Sequence, residues 1–129
     1  MSVVHIIGKI NIEIYKCVTA DICTDEVIIT DERIEHINER HPGNYDEIKP
    51  YINAALSAPD YILEDEARGN TGLILKKVCE GNVKFQLILR LHTSSDNVGY
   101  KNSVISAWKI SEKRWENYIK NKKILYKSE

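Results

Sequence analysis

Three cysteines, three prolines, one phenylalanine and one methionine are all that the 129 residues hold of those types. No apolar run approaches the roughly 18 residues of a membrane span. Each shortage excludes something. Cys17, Cys23 and Cys79 are odd in number and irregularly spaced, which fits reduced thiols better than a disulfide framework. The start MSVVHIIGKI interrupts with His5, Gly8 and Lys9 the apolar stretch that a secretory signal needs, so an intracellular, cytoplasmic location is expected. There is no GxSxG, no glycine-rich phosphate loop and no recognisable Cys-His pair, so a serine or cysteine nucleophile lacks support.

What is present is a composition of 43% hydrophobic and 29% charged residues in 14.9 kDa, the balance of one globular domain. A chain this long can bury about two-thirds of its unfolded surface and needs no metal or disulfide to hold a core. Net charge is −1, but the halves are opposite. Residues 1–66 hold 5 Lys+Arg against 14 Asp+Glu (−9), and residues 67–129 hold 13 against 5 (+8). The halves either attract one another within one fold, or the basic half offers a polyanion a surface that the total conceals.

The period of the opening Val3 to Tyr15 fits neither helix nor strand. Val27 to Ile29 is a short apolar run. Thr30 then caps a helix with Asp31 and Glu32 in its first turn, and Pro42 with Gly43 stops that helix at His41. A second helical stretch, Tyr45 to Ser57, has Asn44 and Glu47 as a capping signal and either kinks at Pro50 or becomes regular there. Beyond Pro59 the period changes to two. Strands are expected at Tyr61 to Leu63, Thr71 to Cys79, Val83 to Thr93 and Ser103 to Ile110. Ser111 then caps a helix carrying Trp115, Tyr118 and Ile119, and Ile124 to Tyr126 follows as a last strand. In the clearest strand, Val83, Phe85, Leu87, Leu89 and Leu91 form one apolar face, while Lys84, Gln86, Ile88, Arg90 and His92 occupy the other. Helices followed by an antiparallel meander make an α+β pattern, with helices on one face of the sheet and the other face free for a site.

Several residues could carry chemistry. Arg33, His36 and Arg40 form a cationic ridge on the first helix, equally readable as a solvated face pairing with Glu32, Glu35 and Glu39. His41 sits at the helix end on the core-facing stripe, as a satisfied core group or as a general acid or base in a cleft. HINERH does not fit a zinc helix, because His36 and His41 are five apart and on different faces. Arg90, mid-strand, needs a carboxylate, an anion or a pocket. Lys76 and Lys77 point to opposite faces, so only one can join it. Alternation puts Ser106 and Trp108 on one face and Ser103, Ile105, Ala107 and Lys109 on the other. Trp108 fits a core position or a base-stacking wall with Ser106 donating to a phosphate.

Four of these segments, VIITDERIEHINERHP, PDYILED, KFQLILRL and NSVISAWKIS, together and in order, resemble the phage barnase/EndoU/colicin/RelE-like nuclease domain family, small phage or prophage proteins, over Val27 to Tyr126. The resemblance implies an α+β fold, N-terminal helices packed on an antiparallel sheet of about four or five strands. It implies a single nuclease-like domain over residues 1–129, with 1–26 as an N-terminal extension outside the resemblance. It also implies a toxin-like hydrolase, a ribonuclease that cleaves RNA without a metal or other cofactor by attack of the 2′-hydroxyl.

The matching positions are Arg40, His41, Arg90, Ser106, Trp108 and Lys109. His41 takes the role of base or acid, Arg90 with Arg40 or Lys109 clamps phosphate, Ser106 donates a hydrogen bond, and Trp108 is a wall. His36, His92 and Lys76 are candidates for the second proton-transfer group, and His36 and Lys76 also for substrate binding. RNA, tRNA included, is the implied substrate, in a bacterial host cell and with no membrane. A phage structural protein or an immunity protein is a further candidate partner. The alternative on the same fold is a non-catalytic module that binds nucleic acid or a phage particle.

Overall fold

The computed structural model describes residues 3–128. In chain order the elements are β1 (Val4–Lys9), α1 (Ile12–Tyr15), β2 (Glu26–Thr30), α2 (Asp31–Arg40), α3 (Asn44–Ile48), α4 (Ile52–Ser57), β3 (Tyr61–Glu64), β4 (Thr71–Val78), β5 (Val83–Arg90), β6 (Asn102–Lys109), α5 (Glu112–Asn121) and β7 (Ile124–Lys127). All strands lie in one sheet of order β1-β2-β6-β5-β4-β3-β7.

The α+β class is as expected, but the sheet has seven strands and is mixed, because β2 runs parallel to β6. The expectation of four or five antiparallel strands included the β7 edge and missed β1 and β2. Val27 to Ile29 is buried as part of β2, and the ambiguous opening splits into β1 and α1. Its period was unreadable because β1 carries a bulge: Ile6 pairs with Ile28 and Gly8 with Val27, leaving Ile7 extra and shifting the alternation by one. Nor are the helices simply N-terminal. Two strands precede or separate them, and α5 follows β6.

Local signals set the long helix. Thr30 accepts from the Arg33 amide at 3.3 Å, and His41 is the C-cap, its N–H donating to Ile37 at 2.7 Å. The second stretch departs from its capping signal: the N-cap is Gly43, left-handed at φ 79°, and no side chain caps α3. Pro50 falls in a 3-10 turn, Lys49–Tyr51, that separates α3 from α4.

The helix-covered face holds the main core, where Phe85, Leu87, Leu89 and Leu91 are fully buried with Ile37, Ile48, Ile52 and Leu56 beneath α2–α4. The opposite face is only partly free. There Trp115 and its neighbours on α5 pack on Leu63, Leu73 and Leu75, forming a second, smaller core. The α5 start is fixed by Ser111, which accepts from the Arg114 amide at 3.1 Å. Beyond the reach of α5, over β5 and β6, the sheet remains accessible.

Gly8 marks a close approach of β1 to α4. A Cβ there would lie 2.3 Å from Asn53 Oδ1 and 3.2 Å from Leu56 Cδ1. Gly8→Ala therefore displaces the Asn53 side chain from its hydrogen bond with the Lys9 amide and presses on Leu56, and is expected to cost about 1–3 kcal/mol. Thermal unfolding should show the midpoint falling by several degrees, whereas an unchanged midpoint would mean that α4 does not rest on β1 as described.

Candidate functional site

β2 touches β6 at only two register positions, Val27 with Asn102 and Ile28 with Ser103, before Thr30 turns the chain into α2. The remainder of β6 thus has no strand on that side. Its edge is met by the end of α2 and by α3. Asn44 Oδ1 accepts the Lys109 amide at 2.8 Å, doing for β6 what a strand carbonyl would do, which is why Asn44 does not cap its own helix. The Lys109 ammonium meets Glu47 of α3 at 2.5 Å.

That packing delivers His41 to Trp108. The two rings are stacked, centroids 4.7 Å apart and planes 13° from parallel, and both residues are half-buried. The His41 main chain is fixed from both sides by its bond to Ile37 and by the Asn44 N–H at 3.1 Å.

Trp108 also lines a groove of about 210 Å³ on the partly free face. Its floor is Leu73, Gln86 and Ile88 from β4 and β5; its walls are Tyr118 of α5 and Lys122, the C-cap of that helix, with Arg68 beside Glu64 and Asp65. Gln86 is directly opposite Trp108 in the sheet, 2% exposed, and its Oε1 accepts the Tyr118 hydroxyl at 2.8 Å. Two cations flank the Tyr118 ring, Arg114 at 5.8 Å and Lys122 at 5.5 Å from its centroid. Arg68 is tied to Asp65 at 2.8 Å, and the same carboxylate accepts the amides of Ala67 and Arg68. Among the described residues no three His, Cys, Asp or Glu gather as a metal ion would require.

Ser106 shares the face of Trp108, opposite Ile88. β6 carries a bulge: Ile88 pairs with Ser106 and Leu89 with Val104, so Ile105 is extra. Strict alternation put Ser103 on the other side; the bulge returns it to the face of Ser106, opposite Arg90. Lys109, beyond the bulge, keeps the opposite orientation and joins the helix side.

Arg90 lies on the face of Trp108 but four residues along β5 from Gln86, roughly 14 Å at the rise of a strand. Its guanidinium binds Asp96 at 2.8 Å and the Leu91 carbonyl. His92 is buried beyond the strand end, 3.8 Å from Asp96 and beside Tyr100. Lys76 is on the helix-covered face, donating to the Ala58 carbonyl at 2.7 Å, so Lys77 is the member of that pair on the face of Arg90. Arg40 and His36 are exposed on α2, and His36 lies among Glu32, Glu35 and Glu39. The structure thus joins His41 to Trp108, sets Ser106 on the same face, and keeps Arg90, Lys109, Lys76, His36 and Arg40 outside the groove.

Sequence reasoning missed Tyr118, Lys122 and Arg68 as groove residues. One signal existed: Gln86 is a polar group in the middle of a buried strand and needs a donor, and the only phenol on the apolar stripe of α5 supplies it.

The fold is α+β, with an imidazole at the open edge of β6 beside a groove that holds a phenol. The chain belongs to the phage-Barnase-EndoU-ColicinE5/D-RelE like nuclease2 family, whose model matches residues 2–127. No curated protein and no solved structure matches it. No helix among the described residues is long and apolar enough to cross a membrane.

Asp96 organises the loop after β5. The Thr93 amide at 2.8 Å, then the neighbouring Arg90, hold its carboxyl below the usual aspartate range. A carboxyl lowered in the folded state stabilises the fold above its unfolded value, near 3.9, and that contribution is lost as pH falls through the lower folded value. Melting temperatures measured from pH 6 down to pH 2 should therefore fall less steeply in Asp96→Asn than in the unsubstituted chain. Equal slopes would remove Asp96 from that role.

Proposed function

We propose that this protein is an endoribonuclease that cleaves RNA without a metal, by attack of the ribose 2′-hydroxyl on the adjacent phosphorus. The observation that carries this reading is the His41 ring held flat on Trp108, beside a groove whose charged lining is Lys122 and Arg68 with Glu64 and Asp65. Such a cleavage needs a base for the 2′-hydroxyl proton, positive charge or donors at the pentacoordinate phosphate, and an acid for the 5′-oxygen that leaves. The products are a 2′,3′-cyclic phosphate and a free 5′-hydroxyl.

In this assignment His41 exchanges one of those protons. The indole beneath it fixes the plane of the imidazole, and the helix-end hydrogen bonds fix its position. Trp108 forms the wall against which a base stacks. Ser106 donates to a phosphate oxygen on the same face. Lys122 neutralises charge at the groove, and Arg68, with Arg90 farther along β5, holds a flanking phosphate once each exchanges its aspartate for that anion. Arg40 stands at the rim beside His41. Tyr118 is the second proton-transfer group, since it lines the groove beside Trp108 and its hydroxyl is held in place by Gln86. Lys109 anchors α3 through Glu47 and holds the edge of β6 in place.

A second reading has its own support: Arg90 and Arg68, two of the cations assigned to phosphate, are each neutralised by a carboxylate. On that reading the fold binds nucleic acid or a phage-particle partner without turnover.

Incubating tRNA or total RNA with the protein in EDTA separates the two. Cleavage should leave 2′,3′-cyclic phosphate ends and fall about 10²–10⁴-fold in His41→Ala, the usual worth of a positioned proton-transfer group. Tyr118→Phe should lower kcat with little change in KM. Arg90→Ala should raise KM, the mark of lost binding. Salt-dependent binding with no product would overturn the nuclease reading in favour of the second one.

A further inference from the structure

The opposed charges of the two halves of the sequence sit on opposite sides of the sheet. Residues 31–57, which form α2–α4 over the main core, carry six Asp+Glu against three Lys+Arg, whereas residues 112–127, which form α5 and β7, carry six Lys+Arg against two Glu. One of those two, Glu112, is taken up by Lys84 of β5 at 2.6 Å, and that ammonium is 9% exposed. Of the six cations, Arg114 and Lys122 lie over the Tyr118 ring at the groove, and Lys113, Lys120, Lys123 and Lys127 are exposed and make no ion pair among the described residues. If attraction between the halves were the whole reason for the charge split, these lysines would face carboxylates. They face solvent.

We infer that the exposed side of α5, continued by β7, is the surface along which the backbone of single-stranded RNA runs into the groove. α5 has ten residues and is about 15 Å long, room for a few successive phosphates. Its row of cations is continuous with the groove, because Lys122 belongs to both. α2, at the far side of His41, cannot serve in the same way: Arg33 and Arg40 stand among Asp31, Glu32, Glu35 and Glu39. The chain approaches over the basic helix, and the scissile bond sits in the groove that Tyr118 and Lys122 share with Trp108. Neutralising phosphates releases condensed counterions, so the surface reveals itself in the salt dependence of binding. The inference rests on the nuclease reading for its choice of RNA, though not for the existence of the surface.

Fluorescence anisotropy with a 5′-labelled, mixed-sequence single-stranded RNA tests it in the His41→Ala chain, which spares the probe. Lys113→Gln, Lys120→Gln and Lys123→Gln combined should reduce the slope of log affinity against log salt by about 2 and weaken binding roughly 100-fold at 0.1 M salt, at about 0.7 per phosphate contact. Lys9→Gln with Lys49→Gln, exposed lysines of the acidic half, should change affinity less than twofold. All substituted side chains are solvent-exposed, and circular dichroism verifies the fold. An unchanged slope in the α5 variant, an equal loss in the control, or no binding by the parent would overturn the inference. RNA cleavage by the unsubstituted chain, followed in parallel, distinguishes the two levels. Binding through α5 without cleavage retains this surface and removes the nuclease reading, while cleavage with an unaffected slope removes the surface alone.

Discussion

The two-residue contact between β2 and β6 is the constraint on which the rest of the structure depends. Had β2 continued alongside β6, its strand would occupy the space where His41 lies, and both edges of β6 would be closed. Because Thr30 caps a helix instead, the chain leaves the sheet early and α2 runs beside it, ending against Trp108. Asn44 then satisfies the Lys109 amide that the missing strand leaves bare, and Glu47 takes the ammonium of the same residue. A threonine at one end of a ten-residue helix and a proline beyond the other thus set where an imidazole meets an indole. Between those two local signals, the length of α2 decides the position of the candidate site.

Charge gives the molecule a second polarity, across the sheet. The acidic helices α2–α4 cover the main core, and the basic α5 covers the smaller one and borders the groove. A net charge of −1 hides this arrangement, which resolves into two oppositely charged surfaces of one fold. For a protein in a nuclease-like family that partition has a physical use, since a phosphate backbone is repelled from the side it does not need and attracted to the side where the groove opens.

Much of the fold was legible because its signals are local. Thr30, Pro42 and Ser111 fix helix ends through single hydrogen bonds or a missing donor, and the alternation from Phe85 to Leu91 reports a strand with one buried face. What escaped reading were departures from regular period. The bulge at Ile7 made β1 look like neither helix nor strand, and the bulge at Ile105 reversed the expected side of Ser103. Partners distant in sequence were equally out of reach. Asn44 resembled a cap because its neighbours did, but its amide bonds a strand 65 residues away. His41 and Trp108 were both legible as candidates, one as a helix-end histidine and one as an aromatic for a core position or a stacking wall, though nothing in their spacing says that they stack. Tyr118 read as one more member of an apolar stripe, and only the register of Gln86 opposite Trp108 reveals that its hydroxyl borders the groove.

The central claim is that His41 and Trp108 act as one unit in RNA cleavage. A double-mutant cycle on kcat at saturating RNA, which leaves the stacking role of Trp108 in KM, with His41→Ala, Trp108→Leu and both together, measures that coupling directly. If the indole works by holding the imidazole, Trp108→Leu costs activity on its own and adds little once His41 is gone. Losses that multiply in the double variant, or a Trp108→Leu protein as active as the unsubstituted chain, would contradict it.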